Sequence, residues 1–194
     1  MYDVLVVGGG VAGLSVAMFT GKANLRTVVV DESESQLVKV KEIRNFPGVL
    51  GGISGEEWIA SARRQAQSEG AELAFAKVTR FENVHGEYFS VHGVSVGGEA
   101  LEWRCKYLVI AVNLGYALLA ELGFEVRVNE HVPSGKIRFL DGVQYDGRTE
   151  VDRLYVAGLL ANVPSQSVVS AGQGAFVGIQ IASEVLGKPF MWHD

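Results

Sequence analysis

The sequence is poor in cysteine, with Cys105 as its single one. One cysteine excludes an internal disulfide, a Cys-x-x-Cys redox pair and a zinc site built from paired cysteines. Cys105 lies in a strand pattern over residues 103–108. We therefore expect a structural role for this thiol, and a reactive cysteine is the alternative.

The sequence also lacks blocks of like charge and any basic run. Its net charge of −5 argues against a nucleic-acid-binding surface. The apolar stretch nearest the N-terminus is interrupted by three glycines and preceded by Asp3, so neither a secretory signal nor a membrane span is expected. These absences predict a cytoplasmic protein with no nucleic-acid partner and no membrane association.

A glycine-rich motif near the start of the chain, 4–14, is its most informative feature. After a short apolar strand pattern, Gly8 permits a tight turn, Gly10 lets the backbone approach a pyrophosphate, and Gly13 lets the following helix pack closely on the strand. A second strand pattern ends in Asp31, 23 positions after Gly8. This is close to the spacing of about 20 at which a carboxylate that binds ribose hydroxyls is expected. The complete unit predicts an adenine dinucleotide site, and a purely structural glycine turn is the alternative.

Helix and strand patterns alternate along the chain, with one antiparallel insertion. With 48% hydrophobic residues among 194, the chain can bury the core of a single domain. The predicted fold class is α/β, of the doubly wound Rossmann-like type, with a parallel sheet, helices and an antiparallel β-meander. The predicted elements are strands 4–7, 25–30, 72–76, 107–112 and 153–158, a meander over 77–104, and helices 14–23, 56–68 and 171–186.

The remaining polar residues do not form a catalytic or metal-binding pattern. The spacing of the four histidines matches no common zinc motif, and no serine stands in the context of a nucleophile elbow. Asp141 and Asp146 lie in a glycine-containing turn segment, where solvated turn residues are expected. We therefore predict no catalytic side chain and no metal ligand. The residues considered are His85, His92, His131, His193, Ser54, Ser167 and Ser170.

Several fragments, in the same order, resemble the FAD domain of low-molecular-weight thioredoxin reductases. They are the opening glycine motif, Gln36-Leu37 and Arg44-Asn45-Phe46-Pro47-Gly48, the helix start Gly55-Glu56-Glu57, and the late segment 166–174. The match extends over nearly the whole chain. By this resemblance the chain is identified as a minimal member of the thioredoxin reductase-like, FAD-dependent pyridine nucleotide-disulfide oxidoreductases.

The resemblance implies FAD bound noncovalently along the sheet with its pyrophosphate at the first helix, and it implies a homodimer. Gln36 and Asn45 are implied near the ribityl and flavin region, and Val78 near the adenine. Gln166 and Ser167 are implied at the isoalloxazine edge. The full set of implied cofactor-binding residues is Gly8, Gly10, Val11, Ala12, Gly13, Asp31, Glu32, Gln36, Asn45, Val78, Ala111, Gly158, Leu159, Gln166, Ser167 and Ala171.

Thioredoxin reductases carry an inserted NADPH domain, with a Cys-x-x-Cys pair that passes electrons from the flavin to thioredoxin. Here the strand pattern 107–112 runs directly into 113–123, which resembles the stretch that follows that domain. The resemblance therefore implies one FAD-binding domain, made of the two family segments 1–114 and 115–194 joined without the NADPH domain. The electron donor and acceptor are then expected to be separate molecules.

A second glycine-rich stretch, 172–178, is followed by neither a strand nor a ribose-binding acid. A second nucleotide site is therefore disfavoured there. By resemblance, this stretch aims helix N–H groups at the flavin pyrimidine, where negative charge develops on reduction.

Two positions depart from the family pattern near the flavin. The family's Ala-Thr-Gly turn is Ala111-Val112-Asn113 here, and its Gly-Asp pair is Gly158-Leu159. Because the family's aspartate contacts the ribityl and phosphate region, Leu159 removes a hydrogen-bond acceptor. We expect weaker FAD binding or an altered ribityl geometry.

The sequence thus favours a flavin-dependent oxidoreductase or electron carrier, in which the chemistry is the flavin's own and the protein supplies orientation and electrostatics. Two alternatives stay open. One is a non-catalytic FAD-binding module used for regulation or assembly. The other is an NAD(H)-binding protein, since the opening glycine motif serves either dinucleotide.

Overall fold

A computed structural model describes residues 1–49, 52–112, 116–120, 123–132 and 134–193. Two 3-10 helices, Gln36–Lys39 and Gly158–Ala161, accompany the main elements of these ranges. The strands are β1 (Tyr2–Val7), β2 (Thr27–Asp31), β3 (Glu72–Val84), β4 (Tyr88–Ser95), β5 (Ala100–Ile110), β6 (Val126–Val128), β7 (Arg138–Leu140) and β8 (Leu154–Val156). The α-helices are α1 (Val11–Lys22), α2 (Gly55–Ser68), α3 (Tyr116–Ala120) and α4 (Ser167–Leu186).

The centre of the molecule is a parallel sheet in the spatial order β3, β2, β1, β5, β8. Leu5 of β1 pairs with Val28 of β2 on one side and with Leu108 of β5 on the other. The carboxyl ends of β1, β2, β5 and β8 therefore meet at one edge, where the parallel part of β3 also ends. The predicted α/β, doubly wound fold is confirmed.

The meander is a continuation of two of these parallel strands. The first residues of β3 pair in parallel with β2, and from Ala76 onward the same strand pairs antiparallel with β4. Likewise, β5 pairs first with β4 and, from Cys105 onward, with β1. The prediction of separate strands 72–76 and 107–112 was therefore wrong in its boundaries, because neither junction contains a glycine or proline that would interrupt the extended backbone.

Alternation along the strands separates two apolar layers. Val4 and Val6 face the helices α1, α2 and α4, together with Val29 of β2. Leu5 and Val7 face the opposite side, where they join the meander. The sheet is thus buried on both faces, which explains the continuous apolar runs of its strands.

Helix α2 begins with a capping box, because the Ser54 hydroxyl accepts the Glu57 N–H while the Glu57 carboxylate accepts the Ser54 N–H. The Ser54 hydroxyl also donates to Glu57 Oε2 at 2.7 Å, and this hydrogen bond, together with the one from the Ser54 N–H, lowers the pKa of Glu57. Ile59 and Ala66 are buried on one face of the helix. The predicted helix 56–68 is confirmed, with its start one residue earlier.

The closing helix α4 begins at Ser167, four residues before the predicted start at Ala171. The stretch 172–178 therefore lies inside the helix, where its N–H groups serve helical hydrogen bonds, and the expectation that it aims them at a ligand was wrong. Its glycines permit close packing on α1: a Cβ at Gly174 would collide with the Ala12 carbonyl oxygen, and one at Gly178 would lie 2.9 Å from the Val16 carbonyl oxygen. None of the helices described is long and apolar enough to cross a membrane.

The Cys105 thiol is buried under the meander and free, which agrees with a structural role. Burial raises the pKa of this thiol from 9.0 to about 12. Since only the thiolate reacts readily, the thiol of the folded protein is unreactive at neutral pH.

We expect the native protein to react with an aromatic disulfide reagent at pH 8 about a thousandfold more slowly than the denatured chain. The reason is that a thiol pKa of about 12 in place of 9.0 lowers the fraction of reactive thiolate by about that factor. Because the buried site favours the protonated thiol, the Cys105 contribution to the free energy of unfolding is fully present below pH 9, the thiol pKa of the unfolded chain. This contribution is lost as pH rises toward 12, the pKa in the folded protein. Denaturant unfolding at pH 8 and pH 10.5 measures the loss, and Cys105→Ala should reduce it. Labelling of the native protein at the denatured rate would contradict this account.

Candidate functional site

A cleft of about 750 Å³ opens at the carboxyl edge of the parallel sheet. Its wall includes the residues that follow β1, β2, β5 and β8, and part of β3. Open α/β sheets bind ligands at this edge, and the volume is that of a small-molecule site. Thirteen of the sixteen predicted site residues line it: Gly8, Gly10, Val11, Ala12, Asp31, Glu32, Gln36, Val78, Ala111, Gly158, Leu159, Gln166 and Ser167.

The three glycines of the opening motif have different structural duties. Gly8 has φ +104°, and a Cβ there would lie 2.6 Å from Val112 Cγ1. A Cβ at Gly13 would collide with the Gly8 carbonyl oxygen, so Gly13 packs α1 on β1 and does not line the cleft. Gly10 is different, because a Cβ there would find only Ser35 Oγ, at 3.6 Å. The fold requires Gly8 and Gly13, whereas the open space at Gly10 faces the cleft.

The N-terminus of α1 presents uncapped backbone donors to this space. Gly10 is the N-cap residue and supplies no side chain, and the first turn contains no acidic residue. The first N–H groups of a helix have no partner within it, and the helix dipole gives them partial positive charge. Val11 and Ala12 both line the cleft beside Gly10. This arrangement suits a phosphate group.

Asp31, at the end of β2, is held by an arginine that the sequence analysis did not identify. Arg63 Nη2 of α2 donates to Asp31 Oδ2 at 2.7 Å and to Ser33 Oγ at 3.2 Å. The Asp31 side chain packs against Gly9, where a Cβ would lie 2.7 Å from Asp31 Cγ. In the part of the chain that the structure describes, the ion pair uses Oδ2, which leaves Oδ1 available as an acceptor. No local pattern links residues 31 and 63, so sequence reasoning had no signal for this pair.

The charged side chains of the cleft lie at this same end. Glu32 and Glu34 line it together with Asp31, and Lys77 places Nζ 3.5 Å from Glu32 Oε1. Val78 follows Lys77 on the wall. The Asp31 end of the cleft is thus polar and charged.

The opposite end is lined by neutral polar groups, among them Gln166, Ser167 and Ser170 at the start of α4. Gln166 accepts a hydrogen bond at Oε1 from Asn45 Nδ2, at 2.6 Å. Asn45 itself does not line the cleft, and neither does Ala171, which packs against the helix layer of the core. Among the described residues, Asn45 thus contacts the cleft wall through Gln166.

Leu159 lies in the wall of the cleft and is 9% exposed. Its side chain belongs to a small apolar cluster with Ile137 and Val163. Its backbone oxygen accepts a hydrogen bond from the buried Asn129 Nδ2 at 3.1 Å. The position that departs from the family pattern is thus part of a local core.

Gln173 holds the neighbouring backbone in place and was also missed. Its side chain is fully buried; Oε1 accepts the Gly158 N–H at 2.7 Å, and Nε2 donates to the Tyr145 carbonyl at 3.1 Å. Gly158 has φ +73°, which favours glycine. A buried glutamine with both amide groups bonded fixes the backbone turn that forms this wall.

A second polar cluster on the meander does not form a catalytic triad. Ser90 Oγ lies 3.2 Å from His92 Nε2, and Glu82 Oε1 lies 3.7 Å from the same nitrogen. A triad needs the serine and the carboxylate on different ring nitrogens. In the described ranges, no group of three or more His, Cys, Asp or Glu side chains is placed to hold a metal ion.

Part of the predicted junction between the two family segments lies outside the described residues. This applies to residues 113–115 and 121–122, which include Asn113 of the departing turn and the 114/115 boundary. The helix α3 between them is described, and Leu118 contributes to the cleft wall.

The fold is that of an α/β protein with a cleft at the carboxyl edge of its parallel sheet, and comparison with known proteins identifies its family. Residues 2–113 match the family described as "Pyridine nucleotide-disulphide oxidoreductase". This match covers more than half of the chain, which therefore belongs to that family. It is a thioredoxin reductase-like member, and such proteins bind FAD.

Among curated proteins, the chain is 40% identical over 115 residues to a thioredoxin reductase of Aquifex aeolicus, covering 57% of this chain and 33% of that protein. It is 37% identical over 98 residues to a thioredoxin reductase of Treponema pallidum, covering 50% and 31%. The chain thus spans about a third of the length of these relatives.

Among solved structures, a thioredoxin reductase from Gloeobacter violaceus superposes with a TM-score of 0.75 at 19% identity, over 100% of this chain and 98% of that chain. A ferredoxin-flavin thioredoxin reductase from Clostridium acetobutylicum gives a TM-score of 0.70 at 16% identity, over 96% and 99%. These likenesses show the shared fold.

Proposed function

We propose that this chain binds FAD in the cleft and acts as a flavin-dependent oxidoreductase or electron carrier between a separate donor and acceptor. The observation that supports this most strongly is Gly10. The fold does not need a glycine there for packing, yet the open space lies beside the uncapped start of α1. Because glycine has no side chain, the backbone at this point allows the close approach of a pyrophosphate.

The chemistry of the other lining residues also supports this proposal. Asp31, held by Arg63, offers an acceptor for ribose hydroxyls. Val78 and Val30 give an apolar wall at the adenosine end. The neutral polar groups around Gln166, at the far end, then face the redox-active ring system.

When bound, FAD would supply the electron-transfer chemistry, and the chain's residues would bind and orient it. The first N–H groups of α1 would bind the pyrophosphate through hydrogen bonds. Arg63 would hold the Asp31 carboxylate in position beside the ribose. Gln166 and Ser167 would present hydrogen-bonding groups to the ring edge.

The chain's single thiol supports the assignment of donor and acceptor to separate molecules. Cys105 has no second cysteine in the sequence to pair with, and its thiol is buried with a raised pKa. It cannot form a dithiol relay within this chain.

An absorption spectrum of natively purified protein, with release and chromatography of the cofactor, tests the proposal. We expect a flavin spectrum and FAD at or below one per chain. A colourless protein that binds NAD(H) but not FAD would contradict it. Stopped-flow reoxidation of the reduced protein by candidate acceptors then separates an electron carrier from a non-catalytic FAD-binding module, which would reoxidise only with oxygen.

Leu159→Asp should strengthen FAD binding by up to about tenfold, because it restores a hydrogen-bond acceptor worth about 0.5–1.5 kcal/mol. The same change should destabilise the FAD-free protein, since the carboxylate replaces a side chain packed against Ile137 and Val163. Calorimetric titration measures the affinity, thermal unfolding measures the stability, and Leu159→Asn is the uncharged control. Equal or weaker FAD affinity would show that the ribityl chain does not pass this position.

A further inference from the structure

The hydrogen bond between Asn45 and Gln166 joins two side chains that are 121 residues apart in the sequence. Asn45 Nδ2 donates to Gln166 Oε1 at 2.6 Å. Gln166 lines the cleft, whereas Asn45 stands behind it. In the described residues, the contact by which Asn45 can act on a ligand in the cleft is therefore this hydrogen bond to the Gln166 amide.

Both backbones are held in place, so the contact has a defined geometry. The Phe46 ring lies 5.6 Å from the Trp58 ring of α2, and the Ile43 N–H donates to the Ile53 carbonyl at 2.8 Å. On the other side, Gln166 is the N-cap residue of α4, and its carbonyl accepts the Ser170 N–H at 3.0 Å. The two amides meet between fixed elements.

A primary amide has one acceptor oxygen and two N–H donors. Because Asn45 occupies Oε1, the group that Gln166 has left for the cleft is its Nε2, a donor. The described lining residues at this end include the serines 165, 167 and 170 and no cationic side chain. The orientation of the Gln166 amide dipole therefore contributes strongly to the electrostatic potential at this end of the cleft.

We infer that Asn45 is a positioning residue, which orients the Gln166 amide so that it presents N–H donors to the redox-active end of the bound cofactor. This inference rests on the proposed binding of FAD. Reduction places negative charge on the flavin ring, and a donor stabilises that charge while an acceptor opposes it. Asn45 thereby favours the reduced form over the oxidised form.

The test is the midpoint potential of the FAD-loaded protein, measured by anaerobic titration against reference dyes. Asn45→Asp replaces the donor with an acceptor, so the Gln166 amide must turn and present its oxygen to the cleft. We expect the preference for reduced over oxidised FAD to fall about tenfold, which is about 30 mV for a two-electron couple. Asn45→Leu, which removes the bond, should give a smaller decrease.

Two comparisons separate this mechanism from a direct effect of charge. In a Gln166→Ala background, Asn45→Asp should no longer change the potential. Asn83→Asp, at a meander turn where Asn83 Oδ1 accepts the Gly86 N–H, adds the same charge far from the cleft and should have no effect. An equal decrease with and without Gln166 overturns the inference, and so does an unchanged potential in Asn45→Asp.

Failure of the inference and failure of the proposed function are distinguishable. If the wild-type chain takes up no FAD, the proposed function is wrong and this inference falls with it. If the wild-type chain and all variants bind FAD with the same potential, only the role of Asn45 is overturned. Circular dichroism of each variant establishes that it is folded, and both residues are exposed, so little change is expected.

Discussion

Gly10→Val should yield a folded protein that has lost its flavin, with FAD affinity at least about 100-fold below that of the wild type. A side chain at this position occupies the space in which the pyrophosphate meets the first N–H groups of α1. Loss of two charge-assisted hydrogen bonds, at about 1.5–3 kcal/mol each, accounts for a change of this size. Flavin absorbance per chain and calorimetric titration of the FAD-free protein measure it.

The matched control is Gly97→Val. Gly97 also has space for a Cβ, whose nearest neighbour would be Ser95 Oγ at 3.7 Å, but it lies in the turn between β4 and β5. We expect this variant to keep its full flavin content. Gly8 and Gly13 are unsuitable for the test, since side chains there would clash with backbone atoms and prevent folding. Wild-type flavin content in folded Gly10→Val would refute the placement of the pyrophosphate.

Stoichiometric NADPH alone should leave the flavin of this chain largely oxidised over minutes, whereas dithionite or light should bleach it at once. In the part of the chain that the structure describes, the second glycine-rich stretch is packed inside α4 against α1 and offers no phosphate loop. The only thiol, Cys105, is buried and cannot relay electrons. We therefore expect reduction to require a separate donor, and no thioredoxin to be reduced.

Anaerobic mixing with NADPH, followed by flavin absorbance over time, measures this expectation. Dithionite added to the same sample is the positive control, because it shows that the flavin is present and reducible. Reduction by NADPH within about a second, a catalytic turnover time, would mean that nicotinamide docks directly on the flavin. The model of a separate donor would then have to be abandoned.

Several features could be predicted because their causes are local. The apolar run before Gly8 predicts a buried strand, and Ser54 with Glu57 caps a helix within one turn of the chain. The spacing of Gly8 and Gly13 reflects steric demands that the structure confirms at each position. The alternation of strand and helix patterns was sufficient for the α/β class.

The boundaries of the strands were harder to predict from the sequence, because pairing with neighbouring strands overrides the local preference of the chain. The strand β3 continues from the parallel sheet into the meander since β4 supplies hydrogen bonds beyond Ala76. Gly93 lies inside β4, where a Cβ would meet the Lys77 carbonyl oxygen at 2.6 Å. Whether a glycine ends a strand or permits a close approach depends on a neighbour that the local sequence does not contain.

The sequence by itself therefore determined the fold class, the position of the glycine turn and the family. Only the tertiary structure decided how the site residues are held. Arg63 reaches Asp31, Gln173 fixes Gly158, and Asn45 orients Gln166 across large distances in the chain. These pairs have no periodicity and no fixed spacing, because the folded sheet and the packing of α2 and α4 on it bring their side chains within hydrogen-bonding distance.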